Sequence, residues 1–420
     1  MISVRNPLQP LSGNKRLLLA CMALMMAACS PKVRPTVTNP SVKTQHPIVK
    51  LQPEKKTVEK TTAGPQVASI SMLLPLNLDD LNPGAQYTAS ALEGADLSLD
   101  YYQGFKMALD SLTAKGYNYK LHLFDTKGLV PDAQQLAYNA AIRSSNIVIG
   151  PVFPEELHAF ADILSGPPKL IVSPLSPSAP SAIRNSNLVT VATPLEYHAR
   201  DAAIYIHKHY RPQKIFILRS GFSSEYNYIT PFKKAIDSLG HNKIKIISPV
   251  ISSGQLAALI PELSRSKDNV FVVPATDQQF LVVTLHSLDT LSKKYPVVTF
   301  GHPEWAQLSF LRPSLMMDIK AHFTTTNLID YKSPEVAAFV RAYRDTYNME
   351  PNHYALMGFD EGMIFGQMLG ADPGSPADPG RIDYKGLLNT YHFEKKPGLG
   401  WINTRVNIME YDNFELKKAE

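Results

Sequence analysis

The chain has 420 residues, 42 Lys and Arg against 37 Asp and Glu, a formal charge of +5 and a pI near 8.9. At 44% hydrophobic and 19% charged it lies outside the disordered and fibrous classes, and its length suits two domains with a core each. Two cysteines exclude a disulfide scaffold and a zinc site of several thiolates, and both fall in the first 29 residues.

Residues 1–29 carry Arg5, Lys15 and Arg16 and no acid, followed by an apolar run from Leu17 to Ala28. That run is too short to span a bilayer, so residues 1–28 read as a secretory signal peptide. Ala27-Ala28 before Cys29 resembles the lipobox of bacterial lipoproteins, with Met26 where the pattern prefers Leu. The resemblance implies cleavage before Cys29, acylation (palmitate among the chains) at Cys29, and a membrane contact through that anchor. A plain cleaved signal is the alternative. Residues 29–66 hold scattered prolines, seven bases and two acids, which predicts an extended tether. Leader and tether carry +3 and +5, leaving −3 for residues 67–420. The alkaline pI therefore describes targeting and tether, and no nucleic-acid partner is expected.

From Val67 short apolar runs alternate with amphipathic stretches, predicting an α/β chain of parallel sheets with crossover helices. Strands are predicted over 67–76, 119–125, 146–150, 169–173 and 188–192, then 214–219, 243–247, 269–274, 296–300 and 319–324. Helices are predicted over 99–115, 132–144, 155–164, 195–210, 226–239, 255–266, 277–291, 334–347 and 354–369, with Ser98 and Asp100 capping the first. After 387 the pattern turns to β again. Two such series make two doubly wound lobes.

No phosphate-binding glycine loop, no G-x-S-x-G elbow and no H-E-x-x-H occur, and the folded part has no cysteine. His207 and His209 lie two apart on a helix, a poor metal pair. Glu155-Glu156 opens a helix, where acids complement the dipole. A non-enzyme with no cofactor and no metal is expected.

The order of segments resembles the type I periplasmic-binding-protein fold of solute receptors. The matching stretches are Ile70–Leu76, Tyr102–Ala108, Phe124–Thr126, Ile147–Phe153, Ile171–Ser176, Phe339–Tyr347 and Tyr354–Asp360. The opening strand and the anchor look most like the lipoprotein branch with activators of penicillin-binding proteins and LysM-associated receptor-like domains, although no LysM module is visible. The resemblance implies two lobes joined by three crossovers, near Thr193, Thr325 and Leu387. Lobe one then comprises 67–192 and 326–387, and lobe two 193–325 and 388–420. Ligand-binding positions expected at the strand ends are Asn77, Phe153, Ser173 and Ser176 in lobe one. Ser223, Tyr226, Thr276, Asp277 and Trp305 face them from lobe two. Amino-acid receptors of this fold hold the carboxylate on lobe one and the ammonium on an acid of lobe two, parts that Ser176 and Asp277 would take. Val152-Phe153-Pro154 after Gly150-Pro151, where those receptors commonly place Ser or Thr, argues against an amino-acid ligand. Tyr226 and Trp305 suit stacking on a ligand or ordinary packing. The acidic stretch between Leu76 and Leu99 is expected to overhang the cleft, as a screen for a cation, a protein contact or a solvated loop.

Two functions follow from the resemblance. One is a membrane-anchored solute-binding lipoprotein that serves a permease of the ABC type. The other is a non-transport partner or regulator of a cell-wall synthase, for which Ser30 after Cys29 favours the outer membrane.

Overall fold

The computed structural model describes residues 67–78, 89–164, 169–176, 180–251, 254–371, 378–381 and 383–419. The leader, Cys29, the tether, and Asp79 and Asp80 of the acidic stretch lie outside the described residues.

The first lobe is a parallel sheet of β1 (Ala68–Leu74), β2 (Tyr119–Asp125), β3 (Ile147–Ile149), β4 (Leu170–Ser173) and β5 (Leu188–Thr190) in the order β2-β1-β3-β4-β5. The second repeats the scheme with β6 (Lys214–Ile217), β7 (Lys245–Ile247), β8 (Asn269–Val273), β9 (Val297–Gly301) and β10 (Ala321–Thr325), ordered β7-β6-β8-β9-β10. Strands covered on both faces read as continuous apolar runs, because successive side chains point to opposite helical layers. Ile215, Ile217, Val270 and Val272 pack on one face, under α6 (Leu195–His209) and α7 (Tyr226–Leu239). Phe216, Leu218, Phe271 and Val273 pack on the other, under α8 (Gln278–Ser292).

In lobe one, α1 (Ala89–Thr113) and α11 (His353–Ala371) cover one face of the sheet together with α10 (Pro334–Tyr347). The other face is covered by α2 (Val130–Leu136), α3 (Ala140–Ser144), α4 (Pro154–Ile163) and the short α5 (Pro180–Ile183). A short α9 (Pro313–Asp318) precedes β10. Helices α1 and α11 approach at glycines. A Cβ on Gly358 would lie 2.1 Å from the Tyr101 carbonyl oxygen, and one on Gly362 would lie 2.7 Å from the Ala108 Cβ. Both positions, four apart, share one helix face.

Local physics moves several predicted boundaries. Helix α1 begins ten residues before its predicted start, so Ser98 and Asp100 are interior rather than capping residues. The Ser98 hydroxyl donates to the Pro75 carbonyl at 3.0 Å, and buried Asp100 accepts from the Tyr343 hydroxyl at 2.8 Å. Asp96, expected in the overhanging stretch, therefore belongs to a helix, as does Asp100. The predicted helix 132–144 is two helices, because the Asn139 side chain accepts from the Ala141 N–H at 2.9 Å and caps a new start. The predicted helix 255–266 shrinks to a 3-10 stretch, Ala257–Glu262, around Pro261, which has no N–H to propagate an α-helix.

The third crossover also differs from expectation. Strands β11 (Asp383–Lys385), β12 (Thr390–Lys396) and β13 (Gly400–Asn403) extend the first sheet, with β13 parallel to β5. Only β14 (Asn407–Asp412) and β15 (Glu415–Lys418) join the second. Residues 388–403 thus belong to lobe one, and the chain crosses at 404–406 rather than near Leu387. The reason is packing: Tyr391 and Phe393 complete the lobe-one core. The carboxylate of Asp360 fixes the approach by accepting from the N–H groups of Leu387 at 2.7 Å and Leu388 at 3.0 Å, and from the Tyr391 hydroxyl at 3.2 Å. Burial raises the Asp360 carboxyl to about 6, and these hydrogen bonds hold it from rising further.

Candidate functional site at the lobe-two strand ends

At the carboxyl ends of the lobe-two strands lies a cavity of about 890 Å³, the place where open α/β sheets bind ligands. Its walls come from the exits of β6, β8 and β9 and from the first crossover. The β6 exit is shaped by Glu225, which is buried and turns back on its own loop. Its carboxylate accepts from the Ser220 N–H at 2.9 Å, the Ser220 hydroxyl at 2.8 Å and the Gly221 N–H at 3.3 Å. Phe222, at 61% exposure, is left on the rim. At the β8 exit, Asp277 caps α8 by accepting from the Phe280 N–H at 2.8 Å. The β9 exit brings in His302 and Glu304, and the crossover brings in Glu196 and His198.

Both histidines are buried. Burial holds His198 down at about 3, with the neighbouring His302 adding to the effect, and holds His302 at about 4. They are neutral donors or acceptors across the physiological range. The His198 Nδ1 lies 2.9 Å from the Thr324 hydroxyl on β10, which ties the first crossover to the sheet.

Of the residues expected from sequence, Thr276 and Asp277 line this cavity. Trp305 lies beneath it as packing. Its indole N–H donates to the Ala275 carbonyl at 3.0 Å, and the ring fills the space above Gly301, where a Cβ would sit 2.1 Å from it. It is 2% exposed, so stacking on a ligand is excluded by burial. Tyr226 is exposed, accepts from the Arg219 guanidinium at 2.7 Å and is absent from the lining. Ser223 opens a 3-10 turn before α7 and is absent from the lining.

In lobe one, Asn77 is a turn residue with φ 53°; its N–H donates to Asp125 at 3.1 Å and its side chain to the Pro75 carbonyl at 3.4 Å. Ser173 is 1% exposed at the end of β4, its hydroxyl buried in the sheet without a partner, as is that of its register neighbour Thr190. Ser176 is buried, and Phe153 is exposed at the start of α4 with its ring over Gly128. None of these four lines the cavity.

The α4 start is ill suited to an anion. Pro151 and Pro154 lack N–H groups, and Glu155 and Glu156 occupy the first turn. Glu156 does more than complement the dipole: it is 1% exposed and neither carboxyl oxygen has a hydrogen-bond partner. Burial, reinforced by Asp132 and Asp125, raises it to about 7; the Thr126 hydroxyl, outside strict hydrogen-bond geometry, offsets only part of this.

Sequence reasoning missed Glu196, His198, Glu225, His302 and Glu304. The usable signal was position, since each follows a strand end by one to eight residues. Among the described residues no group of three or more metal-ligating side chains could hold a metal, and no helix is long and apolar enough to cross a membrane.

No family model matches the sequence, and no curated protein is similar to it in sequence. Solved structures do match. A substrate-binding protein of an ABC transporter from Desulfitobacterium hafniense, in complex with Leu, is 17% identical with a TM-score of 0.54. A putative branched-chain amino acid ABC transporter protein from Rhodospirillum rubrum is 13% identical with a TM-score of 0.63. The C-domain of LpoA from Haemophilus influenzae, a regulator of PBP1A, is 13% identical with a TM-score of 0.54. Each comparison covers 84% of this chain and the whole of the other. The chain has the type I periplasmic-binding-protein fold, and these neighbours are binding proteins and a regulator rather than enzymes.

Proposed function

We propose that this chain is a lipid-anchored, non-enzymatic binding protein of the bacterial envelope, facing the periplasm from the outer membrane. In this reading it acts as a partner that regulates peptidoglycan synthesis, not as the delivery subunit of an amino-acid importer. The observation that carries this is the start of α4 in lobe one, outside the cavity lining, where Pro151, Phe153, Pro154 and two glutamates offer nothing suited to a carboxylate. The likeness to the LpoA C-domain supports the same reading at the level of fold. The test is reconstitution of the acylated chain with a bifunctional peptidoglycan synthase in vesicles. A rise in glycan polymerisation or cross-linking of at least about twofold is expected, on the order of 0.4 kcal/mol in the barrier. An unchanged rate with every synthase of the source cell would overturn the proposal.

The importer reading is favoured by a different observation, the 890 Å³ cavity at the strand ends, large enough for a small solute. It predicts co-purification with a permease and its ATPase after cross-linking in cells. Recovery of cell-wall enzymes alone would count against it.

A further inference from the structure

The cavity has a charge that the fold alone does not explain. Helix N-termini converge on the carboxyl ends of parallel strands and ordinarily make them attractive to anions. Three helices of 14 or 15 residues, α6, α7 and α8, begin here, contributing about +0.5 each, or about +1.5 together. Against this the described lining carries four carboxyl groups, Glu196, Glu225, Asp277 and Glu304, with a formal charge of −4, and no Lys or Arg. The guanidinium of Arg219, just past β6, is engaged away from this lining, with the Tyr226 hydroxyl and, at 3.1 Å, the Ser248 carbonyl. The two histidines of the wall are held neutral by burial and do not restore the balance. The apolar part of the lining is supplied by Pro194, Leu195, Phe222 and Pro303, beside the neutral polar side chains of Thr193, Ser220, Ser224, Asn227 and Thr276.

We infer that the cleft takes an aliphatic amine without a carboxylate or phosphate. Its ammonium groups sit at Asp277 and Glu304, and its methylenes run along the prolines and the Phe222 rim. A free polyamine and a lysine-like side chain of a larger partner share this chemistry. The inference rests on the cleft being the binding site and leaves the effect on a synthase to its own assay.

The test is calorimetry and thermal shift on the full mature chain with cadaverine, spermidine, L-leucine and succinate. Saturable binding of the two amines is expected, weakening with salt. The double variant Asp277→Asn, Glu304→Gln should bind them at least about tenfold more weakly. Asn serves as well as Asp at a helix N-cap, so its melting temperature should match the wild type. A polyamine that fails while N-α-acetyl-lysine amide binds would identify the lysine-like source and still support the class. Binding of L-leucine or succinate in preference to the amines would overturn the class while leaving the cleft as a binding site. Failure of every amine to bind folded protein would overturn the inference without bearing on the synthase measurement.

Discussion

At the scale of single residues the most consequential side chain is Glu156, a carboxyl group packed under the Phe153–Gly128 lip with no partner for either oxygen. A folded value near 7 against an ordinary 4.5 means that folding favours the neutral form. Its contribution is intact below about pH 4.5 and is lost as the pH rises through the folded value of about 7. The full shift corresponds to about 3 kcal/mol, and after screening by nearby solvent about 2 kcal/mol is expected. Glu156→Gln mimics the neutral form. It should match the wild type at pH 4 and exceed it by about 2 kcal/mol at pH 8 in urea unfolding. Parallel pH profiles for the two proteins would refute the assignment. Nothing in the sequence announces this residue: Glu155-Glu156 after Pro154 reads as dipole complementation, and only the fold decides that one glutamate faces water and the next faces Thr126.

At the scale of elements, what was legible follows from periodicity. Runs such as Lys-Ile-Phe-Ile and Asn-Val-Phe-Val-Val can only be buried on both faces, and they became central strands of lobe two. The α11 pattern was legible as a helix but its partner was not, because glycine spacing reports how close a neighbour comes without naming it. The seam with α1 depends on that closeness. Gly358→Ala would place a methyl group 2.1 Å from a backbone oxygen that cannot rotate away. A gain of about 1 kcal/mol in helix propensity is outweighed by an overpacking cost of about 3 kcal/mol. A net loss of about 2 kcal/mol is therefore expected in denaturant unfolding. A neutral or stabilising Gly358→Ala would show that the helices separate at little cost. The third crossover was misplaced for a related reason: alternation at Tyr391 and Phe393 reveals a strand but does not say which of two sheets it joins.

At the scale of the whole molecule, the relative position of the lobes depends on what the three crossovers are bound to. Asn403, fully buried at the end of β13, donates its side-chain amide to the Val191 carbonyl at 3.0 Å. Its side-chain oxygen accepts from the His392 and Arg405 N–H groups, both at 3.2 Å. The Thr193 hydroxyl donates to the Arg405 carbonyl at 3.0 Å, so the first and third crossovers are joined from both sides. The second is tied to lobe one instead, through the Leu328 N–H to the Leu388 carbonyl at 3.2 Å, beside the turn that Asp360 holds. A receptor of this fold closes by rotating its lobes about such crossings, and a stapled hinge narrows the range of angles they can take. Asn403→Ala would leave the buried Val191 carbonyl without its donor and free two partly solvent-accessible N–H groups, so a loss of about 2 kcal/mol is expected. Thr193→Val removes a single bond and should cost about 1 kcal/mol. Because the two sites share Arg405, the double variant should depart from additivity. The readout specific to the hinge is small-angle scattering, in which Asn403→Ala should show a larger radius of gyration and a broader distance distribution than the wild type. If it loses stability while its scattering curve stays superimposable on the wild type, Asn403 stabilises lobe one alone and the interlobe angle is set elsewhere.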